Sequence, residues 1–476
     1  MHSSIRTFSC LPAIALAIWA SFATPSVRAA SAPPQALAAG YAENTFSTTA
    51  FTTSNVDTVD KDSTFPTGYQ WYPAKFYFNH ATDAASIAIQ PNGTIVLNSD
   101  GTDRGNGNGE ISSFAADASK PSGFAGTSFG GGAYFEAEFT FDPKLVFGGK
   151  GWPSWWGMAT EHLSSGTCPG NFWNYYAPGT APDGYAHFCE PDFFEYDVAS
   201  PDNPDVWGGN MNDWFGVWTK EKGYTLVSST WPEKQMRVPK GTDFTRFHKY
   251  GYLWVPATAT SKGYARYFFD DVEVTPSPIT WTLYSGQAPP VTQSSPWRFG
   301  IQDQQHIGLI IGSGVGQPMT VRAVNVWQKT SNWNIDSDTL YDPLNDLSLA
   351  ASTLNMAIDH GNPVAFVGDT SRAVRRSLSD GVICYRVAGL GSFAVRVFRR
   401  GGASVRVDFQ ESGDDTHWST LRHVRRTDGG ATTDAWSYAD YAWSAKKLLG
   451  SRSFRIVVSG GSGKPEDVQI GAVRIN

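Results

Sequence analysis

One segment concentrates groups that could do chemistry. It reads Phe188-Cys189-Glu190-Pro191-Asp192-Phe193-Phe194-Glu195-Tyr196-Asp197-Val198. Clustered carboxylates repel joint ionisation, so their pKa values separate. One then stays ionised and can attack an electrophilic carbon, while another stays protonated and can donate to a leaving oxygen. The spacing sets a geometric condition. In a regular strand, Glu190 and Asp192 point to one face and Glu195 and Asp197 to the other. One extra residue at Phe193 or Phe194, a β-bulge, brings all four acids to one face and keeps them in a solvated cleft. Glu190 and Glu195 then lie about 13 Å apart along the backbone. Side chains leaning inward on a curved sheet can reduce that to about 5–5.5 Å, the separation of the two acids in retaining glycosidases. Asp192 sits between them and can orient one of them. The same acids also suit a solvated strand face or a calcium site.

The elements that would carry these residues read as strands. From Ala133 to Asp142 the chain alternates, with Ala133, Phe135, Ala137, Phe139 and Phe141 on one face and Tyr134, Glu136, Glu138 and Thr140 on the other. Ile87-Ala88-Ile89 and Ile95-Val96-Leu97 flank Pro91-Asn92-Gly93, which reads as a hairpin turn. Gly251–Val255, Ala265–Phe269 and Thr320–Trp327 read as further strands. Helical periodicity is weak, and of 44 acids only 12 are Glu. Aromatics make up 14% of the 476 residues, with 18 Trp, which suits a β-rich protein that handles the flat faces of sugars. These features predict an all-β sandwich. From Asn332 to Leu349 the chain turns polar, and from about Val382 short Val/Arg/Phe strands alternate with Gly-rich turns, as expected of a second, smaller sandwich.

The ends and the charge narrow the function classes. Arg6, the apolar run Leu11 to Phe22 and Val27-Arg28-Ala29 read as a secretory signal, which predicts a secreted or periplasmic protein. No later run reaches the roughly 18 apolar residues of a membrane span, so no membrane partner is expected. The net charge is −7. Residues 30–330 carry −10 and residues 331–476 carry +1. Neither half is basic enough to suggest a nucleic-acid partner, and a neutral substrate is the easier fit. A monomer is expected. In an oxidising compartment Cys168 and Cys189 are the pair expected to form a disulfide, the alternative being reduced thiols, and Cys384 is expected buried in a strand.

Glu190-Pro191-Asp192-Phe193-Phe194-Glu195 resembles the E-x-D-x-x-E catalytic strand of glycoside hydrolase family 16, in the concanavalin A-like superfamily. Other segments match in the same order. They are Ala133-Tyr134-Phe135-Glu136-Ala137-Glu138-Phe139, Gly151-Trp152-Pro153-Ser154-Trp155-Trp156-Gly157-Met158, Phe247-His248-Lys249-Tyr250, Tyr267-Phe268-Phe269-Asp270-Asp271 and the closing strand Met319 to Gln328. Pro191, Cys189 and the long insertion from Cys168 to Phe188 depart from the family's simplest members.

The resemblance implies a concanavalin A-like jelly roll over about residues 45–330, with a substrate groove on its concave face. It implies a retaining mechanism with Glu190 as nucleophile, Asp192 as its orienting partner and Glu195 as general acid/base. Trp152, Trp155, Trp156 and Trp214 are the aromatic candidates for stacking on sugar, against core packing as the alternative. His248 is a further substrate-binding candidate, against a structural role.

The expected organisation is a signal at 1–29, a disordered linker at 30–45, the catalytic jelly roll at 46–330, a connector at 331–380 and a C-terminal β-sandwich at 381–476 that could bind carbohydrate. The expected activity is endo-hydrolysis of a β-linked polysaccharide, a β-1,3- or mixed-linked glucan first. A transglycosylase remodelling wall glycan and a non-catalytic sugar-binding protein are the alternatives. No cofactor or catalytic metal is required; a structural calcium would be consistent with the family.

Overall fold

A computed structural model describes residues 30–59, 65–73, 86–98, 109–117, 119–148, 152–161, 185–219, 223–230, 234–284, 295–313, 318–461 and 463–476. The fold is all-β, built from antiparallel sheets stacked as sandwiches. In the first sandwich one sheet runs, in spatial order, Val272–Glu273, Gly263–Phe269, His248–Val255, Ala133–Phe141, Met319–Gln328, Ile95–Leu97, Ile87–Ile89. The facing sheet runs Gly223–Thr230, Val206–Thr219, Tyr185–Glu195, Pro153–Ala159, His306–Ser313, Phe124–Gly130, Ile335–Asp336. The acid segment thus lies on an inner strand, paired on both sides. The expected hairpin at Pro91-Asn92-Gly93 forms, with Ile89 opposite Ile95, and Gly93 takes the left-handed conformation such turns need.

Period-two alternation explains the core. Phe135, Phe139, Tyr250 and Tyr252 point inward from one sheet, and Trp155, Phe193, Phe194, Ile307 and Leu309 from the other; all are buried. Phe135 stacks on Phe193 at 5.2 Å, and Phe139 meets Phe194 edge-on at 5.0 Å. Removal of such side chains from water is the dominant favourable contribution to the fold.

Two expectations about organisation need correction. Residues 30–45 are expected to be disordered. Instead Pro34–Ala38 forms a short helix on the outer face of the first sheet. Ala36, Tyr41, Tyr134, Leu253, Phe268 and Trp327 make a satellite core there, and Gln35 donates to the Tyr134 hydroxyl at 2.7 Å. The exposed-looking face of Ala133–Phe141 carries enough apolar surface at Tyr134 to hold this segment down.

The region 331–380 is likewise more than a connector. Ile335–Asp336 pairs onto Phe124–Gly130, whereas Leu340–Asp342 pairs onto Val468–Ile475 in the second sandwich. Met356–Asp359 is an edge strand of that same sheet, Arg372–Arg375 lies between it and Val468–Ile475, and Ser352–Leu354 joins the facing sheet. The second sandwich has its own core, with Phe393, Val395, Val397, Phe409, Phe454 and Ile456 among its members. Cys384 is buried in the strand Gly381–Arg386, as expected. Among the described residues no helix is long and apolar enough to cross a membrane.

Candidate active site

The irregularity that the acid spacing demands is present. On one side of the acid strand Gly208 pairs with Glu195 and Asn210 with Asp192, so one residue faces two. On the other side Trp155 pairs with Phe194 and the adjacent Trp156 with Asp192. The extra residue is on the acid strand at Phe193–Phe194. Both phenylalanines therefore enter the core, which a regular strand forbids for neighbours. Glu190, Asp192 and Glu195 emerge together on the opposite face. Gly209 sits across from the bulge because a Cβ there would come within 2.7 Å of the Tyr267 ring and 2.9 Å of Met236.

Each acid receives neutral donors. The Trp214 indole N–H donates to Glu190 Oε2 at 2.6 Å. Asn212 Nδ2 donates to Asp192 Oδ2 at 2.8 Å. Trp152 Nε1 donates to Glu195 Oε1 at 3.0 Å, and Asn210 Nδ2 reaches Glu195 Oε2 at 3.5 Å. Asn210, Asn212 and Trp214 are alternate residues of one strand, so their shared face follows from the pleat. No described Lys or Arg forms an ion pair with Glu190, Asp192 or Glu195 among the described residues.

Burial and mutual repulsion therefore govern the protons. Burial, joined by the charge of Glu195 and opposed by the Trp214 hydrogen bond, raises Glu190 from the usual carboxylate range to about 8. Burial raises Asp192 well above its ordinary value, with further contributions from Glu195, Glu190 and Asp197. The cluster holds protons at neutral pH that isolated carboxylates would have lost, and its titration belongs to the group rather than to one residue.

The other sequence candidates divide. Trp152 is 39% exposed and touches Glu195, and Trp214 is half-buried against Phe188 and touches Glu190. Trp155 is 0% exposed and packs edge-on against Phe193, so it is a core residue and not a stacking platform. Trp156 shares the acid face but is buried, 6% exposed. His248 is not brought to the acids. It lies on the other sheet, its Nδ1 2.7 Å from Asp270 Oδ2 and its Nε2 3.1 Å from the Asp243 carbonyl, with the ring stacked on Phe269. Of the other tryptophans downstream, Trp207 is core, and Trp231 lies outside the described residues, as does the Trp218 side chain.

The disulfide expectation also needs correction. Cys189 is a free thiol pointing into the core, where Sγ donates to Gln302 Oε1 at 3.6 Å, while Cys168 lies outside the described residues. Cys189 precedes Glu190 on a strand, so the phase that exposes Glu190 must bury Cys189. Burial pushes its thiol well above the ordinary range. Among the described residues no group of His, Cys, Asp and Glu is arranged to hold a metal ion.

Sequence reading missed the support beneath the acids. His187 Nε2 and Asp213 Oδ1 meet at 2.5 Å, both buried, joining the acid strand to its neighbour on the core side. Gln305 brackets the same stretch, accepting from the Cys189 N–H at 3.1 Å and donating to the His187 carbonyl at 2.9 Å. The available signal was phase. Asp213 lies between Asn212 and Trp214, so a strand that aims those two at the acids turns Asp213 inward, where it needs a partner.

No family model matches the chain, and no curated protein matches it. Among solved structures, porphyranase B from Zobellia galactanivorans is 13% identical, covering 56% of this chain and 87% of its own, with a TM-score of 0.30. A fructofuranosidase from Schwanniomyces occidentalis complexed with fructosylnystose is 9% identical, covering 61% and 78%, with a TM-score of 0.15. The Cry4Aa toxin from Bacillus thuringiensis is 8% identical, covering 62% and 52%, with a TM-score of 0.17. Glycoside hydrolases and an insecticidal toxin thus stand side by side, and at these scores the likenesses assign neither family nor function.

Proposed function

We propose that this protein is an exported, retaining endo-glycoside hydrolase acting on a β-linked polysaccharide, with β-1,3- or mixed-linked glucan as the first candidate. The single observation that supports this reading is the bulge that gathers Glu190, Asp192 and Glu195 on one face. In the proposed mechanism the Glu190 carboxylate attacks the anomeric carbon. Glu195 gives its proton to the departing glycosidic oxygen, and a covalent glycosyl-enzyme forms. Glu195, now ionised, takes a proton from water. That water opens the intermediate from the opposite side, so two inversions give net retention.

The surroundings serve these roles. The reaction needs Glu190 ionised and Glu195 protonated. The 2.6 Å donation from Trp214 favours the charge on Glu190. Asp192, only 2% exposed and flanked by both glutamates, keeps a proton and spares Glu190 a second adjacent charge. Trp152 and Asn210 fix the Glu195 carboxyl, and the exposed Trp152 ring offers a face to a sugar beside it.

The test is a panel of β-glucans and galactans incubated with the wild type and Glu190→Gln. Reducing ends released by the wild type alone, with retention of the anomer by NMR, are the expected result. Equal binding without release by both proteins would replace this reading with a non-catalytic lectin.

A further inference from the structure

We propose that the cleft at the seam between the two sandwiches is a second carbohydrate-binding site, which holds a remote stretch of the same polysaccharide. The identity of the polymer rests on the glycosidase reading above; the site itself rests on the following geometry. The cleft measures about 670 Å³, within the range of pockets that hold small ligands. The first sandwich and its exit segment contribute Thr127 and Asn332; the second contributes Trp443, Ser444, His423 and Arg425.

The lining suits a polyhydroxylated chain. Hydroxyls and an amide offer both donors and acceptors, an indole offers an apolar face, and Arg425 and His423 add donors at the rim. Two acids also line the cleft: Asp336 accepts from Thr339 and Asn476 on its two oxygens, and Glu43 Oε1 accepts from Ser331. The side chains of Asn332, His423, Arg425 and Ser444 and the Trp443 indole N–H make no hydrogen bond with the described residues, so their capacity is unspent. The remaining aromatics of the second sandwich do not compete for this role. Trp436 is buried on Phe366, Tyr438 packs against Phe398, and Tyr441 packs against Phe409.

The cleft is held open by fixed walls rather than by a flexible linker. Two guanidiniums of the second sandwich contact the Trp333 ring, Arg396 at 4.8 Å and Arg474 at 4.2 Å. Arg474 Nη2 donates to His306 Nε2 at 2.5 Å, and Asn476 donates to Asp336 at 2.6 Å. A preformed site loses little ordering entropy on binding. The strand Ile335–Asp336 at its rim is four strand positions from the acid strand in the same sheet, about 19 Å at the usual strand spacing. One polymer chain can therefore span both places.

The experiment is native affinity electrophoresis of the full chain through gels containing laminarin, barley mixed-linked glucan or agarose, beside a reducing-end assay on a short oligosaccharide of the hydrolysed polymer. The variants are Trp443→Ala, the surface double variant Asn332→Ala/Arg425→Ala, and Glu190→Gln. Because Trp443 also packs on Phe393, the double variant tests the site without touching a core. The expected result is an affinity loss of about tenfold in both cleft variants, unchanged turnover of the short substrate, and retained gel retardation in Glu190→Gln. Undiminished retardation in both cleft variants overturns the inference and leaves the glycosidase reading standing. Retardation that depends on the cleft, in a protein that hydrolyses nothing, upholds the inference and removes that reading. Retardation by none of the polymers overturns the inference whatever the hydrolysis assay reads.

Discussion

Two strands of the first sandwich carry closely spaced acids, and they are solved in opposite ways. On Ala133–Phe141, Glu138 forms a forked pair with Arg322, and Glu136 has Lys249 Nζ at 4.0 Å. On Tyr185–Glu195, the donors to the acids among the described residues are indoles and amides. Burial raises Glu136 to about 7 even with Lys249 opposing it. With no ion-paired cation among the described residues, Glu190 rises to about 8 and Asp192 well above its ordinary value. A nearby cation opposes the rise that burial imposes, as Lys249 does at Glu136. A carboxylate held by neutral donors keeps a mobile proton, which is what acid–base chemistry needs.

The most drastic way to break the contrast is Glu190→Gln. It should lower kcat by about 10⁴ or more on whichever polymer the wild type cleaves. The same change should stabilise the fold. An acid whose folded pKa is raised costs stability as pH climbs from its unfolded value towards the folded one, here from 4.5 to about 8. Removing the charge relieves that cost, so the Tm of Glu190→Gln at pH 7.5 should exceed the wild type's by about 2–4 °C, read by calorimetry.

Next comes Trp214→Phe, which keeps the ring and deletes the N–H that favours ionised Glu190. The Glu190 pKa rises further, so the acidic limb of the kcat/KM profile should move to higher pH, with a loss of about tenfold at pH 6. A profile superimposable on the wild type's would mean that Trp214 does not govern the ionisation of Glu190.

A third buried acid offers an intermediate case. Glu161 is paired with His306 at 2.6 Å, and the far nitrogen of that imidazole accepts from Arg474. Burial, aided by Arg474 and opposed by Glu161, lowers the His306 pKa below 6.5. Below pH 6.5 the unfolded chain takes up a proton that the fold refuses, so stability should fall as the pH drops below that value. In His306→Gln the Tm difference between pH 7 and pH 5 should shrink. The smallest effect belongs to Lys249→Met. This half-exposed pair contributes about 1 kcal/mol or less, and turnover should be unchanged. A large loss of turnover there would erase the distinction between the two strands.

How far the site was legible follows from these residues. Two adjacent phenylalanines between acids of opposite phase require a bulge, because burying either acid pair unpaired would cost more than the irregularity. Local alternation likewise placed the core face of Ala133–Phe141. His248 was misplaced for a reason of another kind. A strand's sequence states which faces are apolar but not which sheet it joins, and His248 joined the sheet away from the acids. Trp155 and Trp156 are adjacent, so one had to point inward, and only the phase against Phe193 and Phe194 decided which. Cys189 was read by compartment and loop length, whereas its position next to Glu190 had already committed it to the core.

The sequence by itself determined the strand-rich class, the bulge and the company of Glu190, Asp192 and Glu195, because these depend on neighbours within a few residues. Tertiary structure alone decided that Asn210, Asn212, Trp152 and Trp214 would donate to those acids, that His187 and Asp213 would join beneath them, and that a cleft would open at the seam. Those contacts bring together residues from different strands and sheets. Register and pairing order set them, and both are products of the packed whole.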